Sequence, residues 1–323
     1  VLIVGGAGYV GREIIDNFLK KDFKITVFDN LIYNQKIKVR NKKFTFIKGD
    51  LRKEKDLIKL VNQKYDTTII LAGLVGDPIT KKYKSLSKQI NDIGMFKLID
   101  ILRNYNFSKK FIFISTCSNY GLIEEDIDAK EDHPLKPLSL YSESKVKNEL
   151  YILENNLDLP FCSSILRFAT AFGAAPRMRF DLTVNEFVKD LFMGKKLDVY
   201  DPDTWRPYCH VQDFAQLIFL VINASEEIID GEVFNAGSDE NNFTKRQIIE
   251  IISKEINSIN VNFLDKGFDR RNYKVNFEKA KSILNFSPSW SVPNGVKEII
   301  SYLKQGMYSS TNENDNLFGN YKL

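Results

Sequence analysis

Tyr141-Ser142-Glu143-Ser144-Lys145 sets a phenol and an ammonium four residues apart, so on a helix the two share one face. A phenol titrates near pH ~10 in water, and a neighbouring ammonium favours the phenolate and draws that value toward neutrality. A tyrosine tuned in this way can take a proton from a hydroxyl while hydride leaves the same carbon for a nicotinamide. Run in reverse, it returns the proton. The segment Ser115-Thr116-Cys117-Ser118-Asn119-Tyr120-Gly121 follows the apolar run Phe111–Ile114. A hydroxyl at such a strand end can hold the reacting oxygen against Tyr141, and Thr116 is assigned that part. Tyr105 and Lys109 repeat the spacing, but they stand ahead of the same strand, on the wrong side of a sheet for a site.

A carrier for the hydride is implied by the first eleven residues. An apolar strand, Val1–Val4, meets Gly5-x-x-Gly8-x-x-Gly11, and a helical pattern follows through Ile14, Ile15, Phe18 and Leu19. Gly5 permits the tight turn, Gly8 lets the backbone approach a pyrophosphate, and Gly11 lets the helix pack close to the strand. The helix that opens at Tyr9 and Val10 offers free N–H groups and a positive dipole end to phosphates. A second strand ends in Asp29-Asn30, with Asp29 eighteen residues beyond Gly11. A carboxylate there accepts ribose hydroxyls and repels a 2′-phosphate, which predicts NAD over NADP.

These residues must be carried on a sheet. Strand-like runs at 1–4, 24–28, 44–48, 68–72, 110–115 and 161–167 alternate with helical stretches at 9–21, 53–63, 80–105 and 139–156. That alternation predicts an α/β fold, a doubly wound parallel Rossmann sheet covered by helices on both faces. Ligands bind such sheets at the carboxyl ends of the strands. Asp29 and Asn30, Asp50 and Leu51, the Leu71-Ala72-Gly73 run and Ser115 all follow strands, and are assigned to the cofactor. Three segments are drawn: 1–170 for the NAD-binding domain, 171–308 for a smaller, partly interleaved substrate-binding region, and 309–323 for a loose tail. Within the second region, Thr170–Arg179 reads as a loop, helices are expected near 181–193, 211–226, 244–256, 276–284 and 294–305, and short strands at 197–200 and 232–236.

The bulk numbers narrow the partners. A net charge of +4 with no dense basic stripe speaks against nucleic acid. No apolar stretch reaches the ~18 residues of a membrane span. Three cysteines, Cys117, Cys162 and Cys209, without paired spacing fit free thiols in a reducing cytoplasm. The two histidines are far apart, so no metal site is expected. The chain opens on Val1 rather than Met, which implies that residues precede it.

Taken in order, Gly5-x-x-Gly8-x-x-Gly11, Asp29, Asp50, the Ser115–Gly121 segment, Tyr141-x-x-x-Lys145 and Leu166-Arg167-Phe168 resemble the extended short-chain dehydrogenase/reductases. The branch is the NAD-dependent epimerase/dehydratase family that works on nucleotide sugars, and the match runs to about residue 305 of the 323. The resemblance implies Tyr141 as general base, Lys145 on the nicotinamide ribose and Thr116 as its helper. It further implies a homodimer through the helices near 80–105 and 139–156. Arg206, in Trp205-Arg206-Pro207-Tyr208, matches an arginine that clamps the substrate diphosphate. Arg271, in Asp269-x-Arg271-x-Tyr273, matches a second one near it, and Asn185 an asparagine that contacts the nucleotide. Val75, Cys117, Ser118, Thr170 and Arg179 complete the expected substrate contacts, with Asp77 within reach of the sugar.

The family's shared step is oxidation of the sugar C4 hydroxyl. Its 4,6-dehydratases carry Asp-Glu directly after the Thr, where this chain has Cys117 and Ser118, so dehydration loses its acid and its base. Enzymes that epimerise at C3 and C5 place a cysteine where Ser118 stands, and Cys117 is one residue out of register. What remains is a nucleotide-sugar 4-dehydrogenase or a 4-epimerase with tightly bound NAD; reduction of a keto sugar is set third, because Asp29 selects NAD. The dehydrogenase is placed first. Pro176–Leu182 is similar to a subgroup of surface-polysaccharide biosynthesis, which implies a GDP-hexose or GDP-heptose as substrate. A non-catalytic NAD(H) sensor or partner module is the reading of another class; such proteins lose the Tyr or the Lys, and both are present here.

Overall fold

The computed structural model describes residues 1–124, 126–265, 271–308 and 317–323. Its centre is a seven-stranded sheet built from β1 (Leu2–Val4), β2 (Ile25–Asp29), β3 (Phe44–Lys48), β4 (Tyr65–Ile70), β5 (Ser108–Thr116), β6 (Cys162–Phe168) and β7 (Glu232–Ala236). The spatial order is β3-β2-β1-β4-β5-β6-β7, with every neighbouring pair parallel. The order reverses between β1 and β4, which opens a crevice at their carboxyl ends. β1, β2 and β6 are buried along their whole length, as expected of strands covered on both faces.

Apolar clusters fill both faces. Ile14, Ile15 and Phe18 of α1 (Tyr9–Lys20) pack over Ile3, Ile25 and Val27 on one side. Leu98, Ile99 and Leu102 of α2 (Met95–Tyr105) pack over Val4, Ile70 and Phe113 on the other. A third cluster unites α4 (Thr183–Phe192) with two later helices, α6 (Lys245–Ser253) and α7 (Val292–Lys304), around Phe180, Val188, Ile248 and Ile299. β7 comes from beyond residue 170, so the chain returns to the central sheet after leaving it.

Three local expectations need correction. The helix expected over 80–105 is broken: helical turns at Asp77–Lys82 and Lys84–Ser87 are separated by Tyr83 (φ −118°, ψ 55°), and a π-helical stretch, Lys88–Gly94, precedes α2. The helix expected over 53–63 is a single turn, Glu54–Leu57, running into a 3₁₀ stretch at Ile58–Asn62. Thr170–Phe172, read as loop, is a strand paired with Tyr208–His210. Of the expected loose tail, 309–316 lies outside the described residues, as does Asp269. Residues 317–323 are packed: the Phe180 amide donates to the Phe318 carbonyl (2.8 Å), and Phe318 meets Tyr308 edge-on at 5.1 Å.

A buried ion pair ties the helix that carries Tyr141 and Lys145 to the sheet. α3 (Leu140–Glu154) opens on a capping box at Ser139 and Ser142. It carries Glu149 against Arg167 of β6 (Nη2 to Oε2, 2.7 Å), both side chains 5 % exposed or less. Ser115 and Asn119 also donate to Glu149. Arg167 reaches Tyr120 (3.0 Å) and the Glu131 carbonyl (2.8 Å), and the Tyr120 hydroxyl donates to Asn235 of β7 (2.7 Å). Removing one partner strands the other charge in the interior. Arg167→Met is therefore expected to cost about 3–5 kcal/mol of stability in urea unfolding, and a loss below about 1 kcal/mol, the worth of an exposed pair, would contradict this reading.

Candidate functional site

One cleft of about 660 Å³ runs along the carboxyl ends of the strands. Twenty-two of the expected site residues line it, and two do not. The residues expected at the cofactor, Gly5, Gly8, Tyr9, Val10, Gly11, Asp29, Asn30, Asp50, Leu51, Leu71, Ala72, Gly73, Ser115 and Lys145, all line it. So do Thr116 and Tyr141, and of the residues expected at the substrate, Val75, Ser118, Thr170, Arg179, Arg206 and Arg271.

The glycine turn fits a dinucleotide. Gly5 has φ +85°, and a Cβ there would stand 2.4 Å from the Ala72 nitrogen, so only glycine makes this turn. At Gly11 a Cβ would stand 2.6 Å from Gly6 Cα, which fixes how closely α1 approaches the turn. Gly8 caps α1 without a side-chain bond, no acidic residue occupies the first turn, and a Cβ at Gly8 would meet nothing nearer than 3.5 Å. The first N–H groups of α1 thus face the cleft, ready for phosphate oxygens. Asp29 is fixed by the Ala7 (3.0 Å) and Leu31 (2.8 Å) amides, while burial raises its carboxyl above the ordinary value. Asp50 binds Arg52, whose guanidinium holds the carboxyl low against the cost of burial.

Tyr141 has Thr116 and Lys145 as neighbours. Thr116 caps the 3₁₀ turn after β5 by accepting from the Ser118 amide (3.1 Å), and its hydroxyl lies within electrostatic reach of the Tyr141 phenol. Lys145 Nζ donates to the Ile114 carbonyl (2.6 Å) and lies 6.0 Å from the Tyr141 ring centre. The electrostatics differ from the expectation that the ammonium draws the phenol down. Burial pushes Tyr141 up, Asp77 adds to the rise, and Arg179 and Thr116 oppose it. Burial also lowers Lys145, to about 8. The spare pair behaves as surface: Tyr105 is exposed, and Lys109 pairs with Asp66 at 2.9 Å.

The two residues outside the cleft have clear occupations. Cys117 is buried with its thiol on the Arg167 carbonyl (3.1 Å), since the chain turns away from the cleft immediately after Thr116. Burial raises that thiol far above its usual range. Asn185 is fully buried at the start of α4, where it accepts from the Gly173 amide (3.1 Å) and donates to the Tyr9 hydroxyl and the Arg179 carbonyl. It holds the cleft wall rather than facing the cleft.

At the substrate end, Arg206 Nη1 donates to the carbonyls of Trp205 and Arg271, and its guanidinium lies over the Tyr273 ring at 5.3 Å. Arg271 pairs with Asp77 (2.9 Å) and donates to Ser118 (3.3 Å). Two guanidiniums thus share one end of the cleft, a fitting cradle for a diphosphate. Asn91 was not anticipated. Its side chain accepts from the Leu74 amide (2.8 Å) and donates to the Leu74 carbonyl (3.0 Å), pinning the loop after β4 from within the π-helical stretch. Arg177, Asn320 and Tyr321 also line the cleft. No sequence signal marks Asn91, because its partner lies seventeen residues away in a loop. Among the described residues no helix is long and apolar enough to cross a membrane, and no His, Cys, Asp or Glu group is arranged to hold a metal.

The family model for NAD dependent epimerase/dehydratase proteins matches residues 1–237. A UDP-glucose 4-epimerase of Streptococcus mutans is 27 % identical over 275 residues, covering 79 % of this chain and 80 % of that protein. The UDP-glucuronic acid 4-epimerase of Bacillus cereus, solved with UDP-glucuronic acid and NAD, superposes with a TM-score of 0.83 at 25 % identity, covering 94 % of this chain and 98 % of that one. A dTDP-glucose 4,6-dehydratase of Bacillus anthracis, solved with NAD, gives 0.81 at 25 % identity over 95 % and 97 %.

Two outcomes follow from this geometry. Asp29→Ala is expected to weaken NAD binding about tenfold or more, roughly 1.4 kcal/mol, measured by calorimetry; unchanged affinity would remove Asp29 from the site. The pH response of the cofactor-stripped protein tests Lys145. From about pH 8 up to its ordinary value of 10.5, the unfolded chain keeps a proton that the folded chain has released. Stability owed to this group therefore rises with pH across that window. Lys145→Met is expected to flatten the rise, followed as urea midpoints relative to wild type.

Proposed function

This chain belongs to the NAD dependent epimerase/dehydratase family, and from that premise we propose that it is a 4-epimerase of a UDP-linked sugar. The observation that carries the proposal is the placement of Tyr141 in the cleft beside Thr116, the last residue of β5. The two positions after Thr116 hold no carboxylate, and Cys117 faces the Arg167 carbonyl. Proton transfer at one hydroxyl is thus provided for, while the acid and base for dehydration at those positions are not. The UDP-sugar 4-epimerases among the relatives support this reading over the 4-dehydrogenase placed first from sequence, and support uridine over guanosine as the base.

NAD supplies the hydride acceptor and, while oxidised, a positive charge beside the phenol. Thr116 holds the sugar hydroxyl against Tyr141, which takes its proton and later returns it. Arg206 and Arg271 bind the diphosphate, Arg271 exchanging Asp77 for it. Lys145, anchored on the Ile114 carbonyl, positions the nicotinamide ribose. The ordinary pKa of Tyr141 is raised by burial, so the phenol stays protonated until positive charge arrives, which keeps the idle enzyme from holding a buried phenolate.

UDP-glucose, UDP-galactose and UDP-glucuronic acid bearing deuterium at C4 test the proposal. Inverted product with the label retained at C4 is expected without any added acceptor. Appearance of a keto sugar only when an acceptor is supplied would replace the epimerase by the dehydrogenase. Tyr141→Phe is expected to lower turnover by about a thousandfold while NAD binding persists.

A further inference from the structure

The segment 317–323 bridges the two sides of the cleft. At one end Phe318 is held by the Phe180 amide and stacks edge-on with Phe180 and Tyr308. At the other, the Leu323 amide lies 3.4 Å from the hydroxyl of Tyr83, whose ring packs on the cluster beneath the sheet. Between these anchors Asn320 and Tyr321 face the cleft. The fastening in the middle is Arg177, whose Nη2 donates to the Gly319 carbonyl (3.1 Å) and to the Asn320 side chain (2.7 Å).

Arg177 is only 6 % exposed, and its Nε has no hydrogen-bond partner among the described residues. The carboxylates nearby are committed elsewhere: Asp181 binds Arg179 in two-pronged fashion, and both Asp29 oxygens accept backbone amides. Burial and the neighbouring Arg179 weigh against the Arg177 charge and lower its pKa to about 10. A buried guanidinium with an open N–H in a cleft wall is a poor structural element and a good anion site. Its position names the anion. Arg177 lies over the Tyr33 ring (5.4 Å) and within electrostatic reach of Asp29, the adenosine side, whereas Arg206 and Arg271 hold the opposite end.

We propose that Arg177 binds the diphosphate of NAD, and that residues 317–323, fastened to it through Gly319 and Asn320, form a strap that keeps the cofactor in the cleft between turnovers. The proposal rests on the cleft being the NAD site and does not depend on which sugar reaction occurs. Retention suits a reaction that returns its hydride, since nothing has to leave.

The test loads the full chain with NAD, removes free cofactor by gel filtration, and follows release against an excess of unlabelled NAD, with no sugar present. UDP binding is measured separately by calorimetry. Arg177→Ala and deletion of 317–323 are each expected to speed NAD release about tenfold or more, with the affinity for UDP within about twofold of wild type. Asn320→Ala leaves Phe318 in its apolar seat and is expected to speed release about threefold, so the proposal stays testable where the deletion unfolds. Unchanged release in Arg177→Ala and Asn320→Ala overturns it. A fall in UDP affinity with NAD retention intact also overturns it and moves the guanidinium to the sugar nucleotide. Absence of epimerised product alongside faster NAD release would sink the proposed reaction and leave the strap standing.

Discussion

The Glu149–Arg167 pair is the constraint on which the site's geometry depends. Tyr141, Lys145 and Glu149 stand at successive four-residue steps on one face of α3. Fixing Glu149 against β6 fixes the rotation of the helix, and hence where the phenol and ammonium point. A buried ion pair is weak evidence for net stability, because desolvation offsets much of its attraction. Its contribution here is to register: Ser115, Asn119 and Tyr120 attach to the same two charges, and Asn235 joins them through the Tyr120 hydroxyl, so β5, β6, β7 and α3 are held in one arrangement. Any slide of α3 would leave a carboxylate and a guanidinium unpaired in the interior.

The cleft then divides its labour by charge. One end closes on Asp29 and the open N-terminus of α1, the other on Arg206 and Arg271. Between them Arg177 and Arg179 stand in the wall contributed by the chain beyond residue 170. Cationic groups therefore line the cleft along its length, with Arg179 held by Asp181. The central phenol is reached from both ends and is kept neutral by burial. This agrees with a group that exchanges one proton with one hydroxyl and performs no other acid–base step.

Much of this was legible in the residue order because it is local. The glycine turn, the strand end at Asp29 and the four-residue spacing of Tyr141 and Lys145 each need only a few consecutive residues. The β–α alternation placed five of the six expected strands within two residues of where they lie at each end. The expected fourth strand starts and ends earlier, at Tyr65–Ile70. Errors arose where distant parts of the chain decide. The helix expected over 80–105 breaks at Tyr83, and its π-helical stretch places Asn91 under the loop at Leu74. Cys117 and Asn185 have suitable types and spacing, yet tertiary packing turns one toward the Arg167 carbonyl and the other into the cleft wall.

By itself, then, the sequence determined the sheet, the glycine turn after β1 and the placing of Tyr141 and Lys145 on one face of a helix, since hydrophobic alternation, glycine geometry and helical spacing are short-range properties. Only the tertiary structure decided the protonation of that pair. Desolvation depends on everything packed around a group, and here it outweighs Arg179 and Thr116 in raising Tyr141, and Glu149 in lowering Lys145. The tertiary structure also decided that residues 317–323 belong to the cleft. A stretch distant in sequence becomes part of a wall only when a buried guanidinium such as Arg177 gives its carbonyl and amide groups a partner.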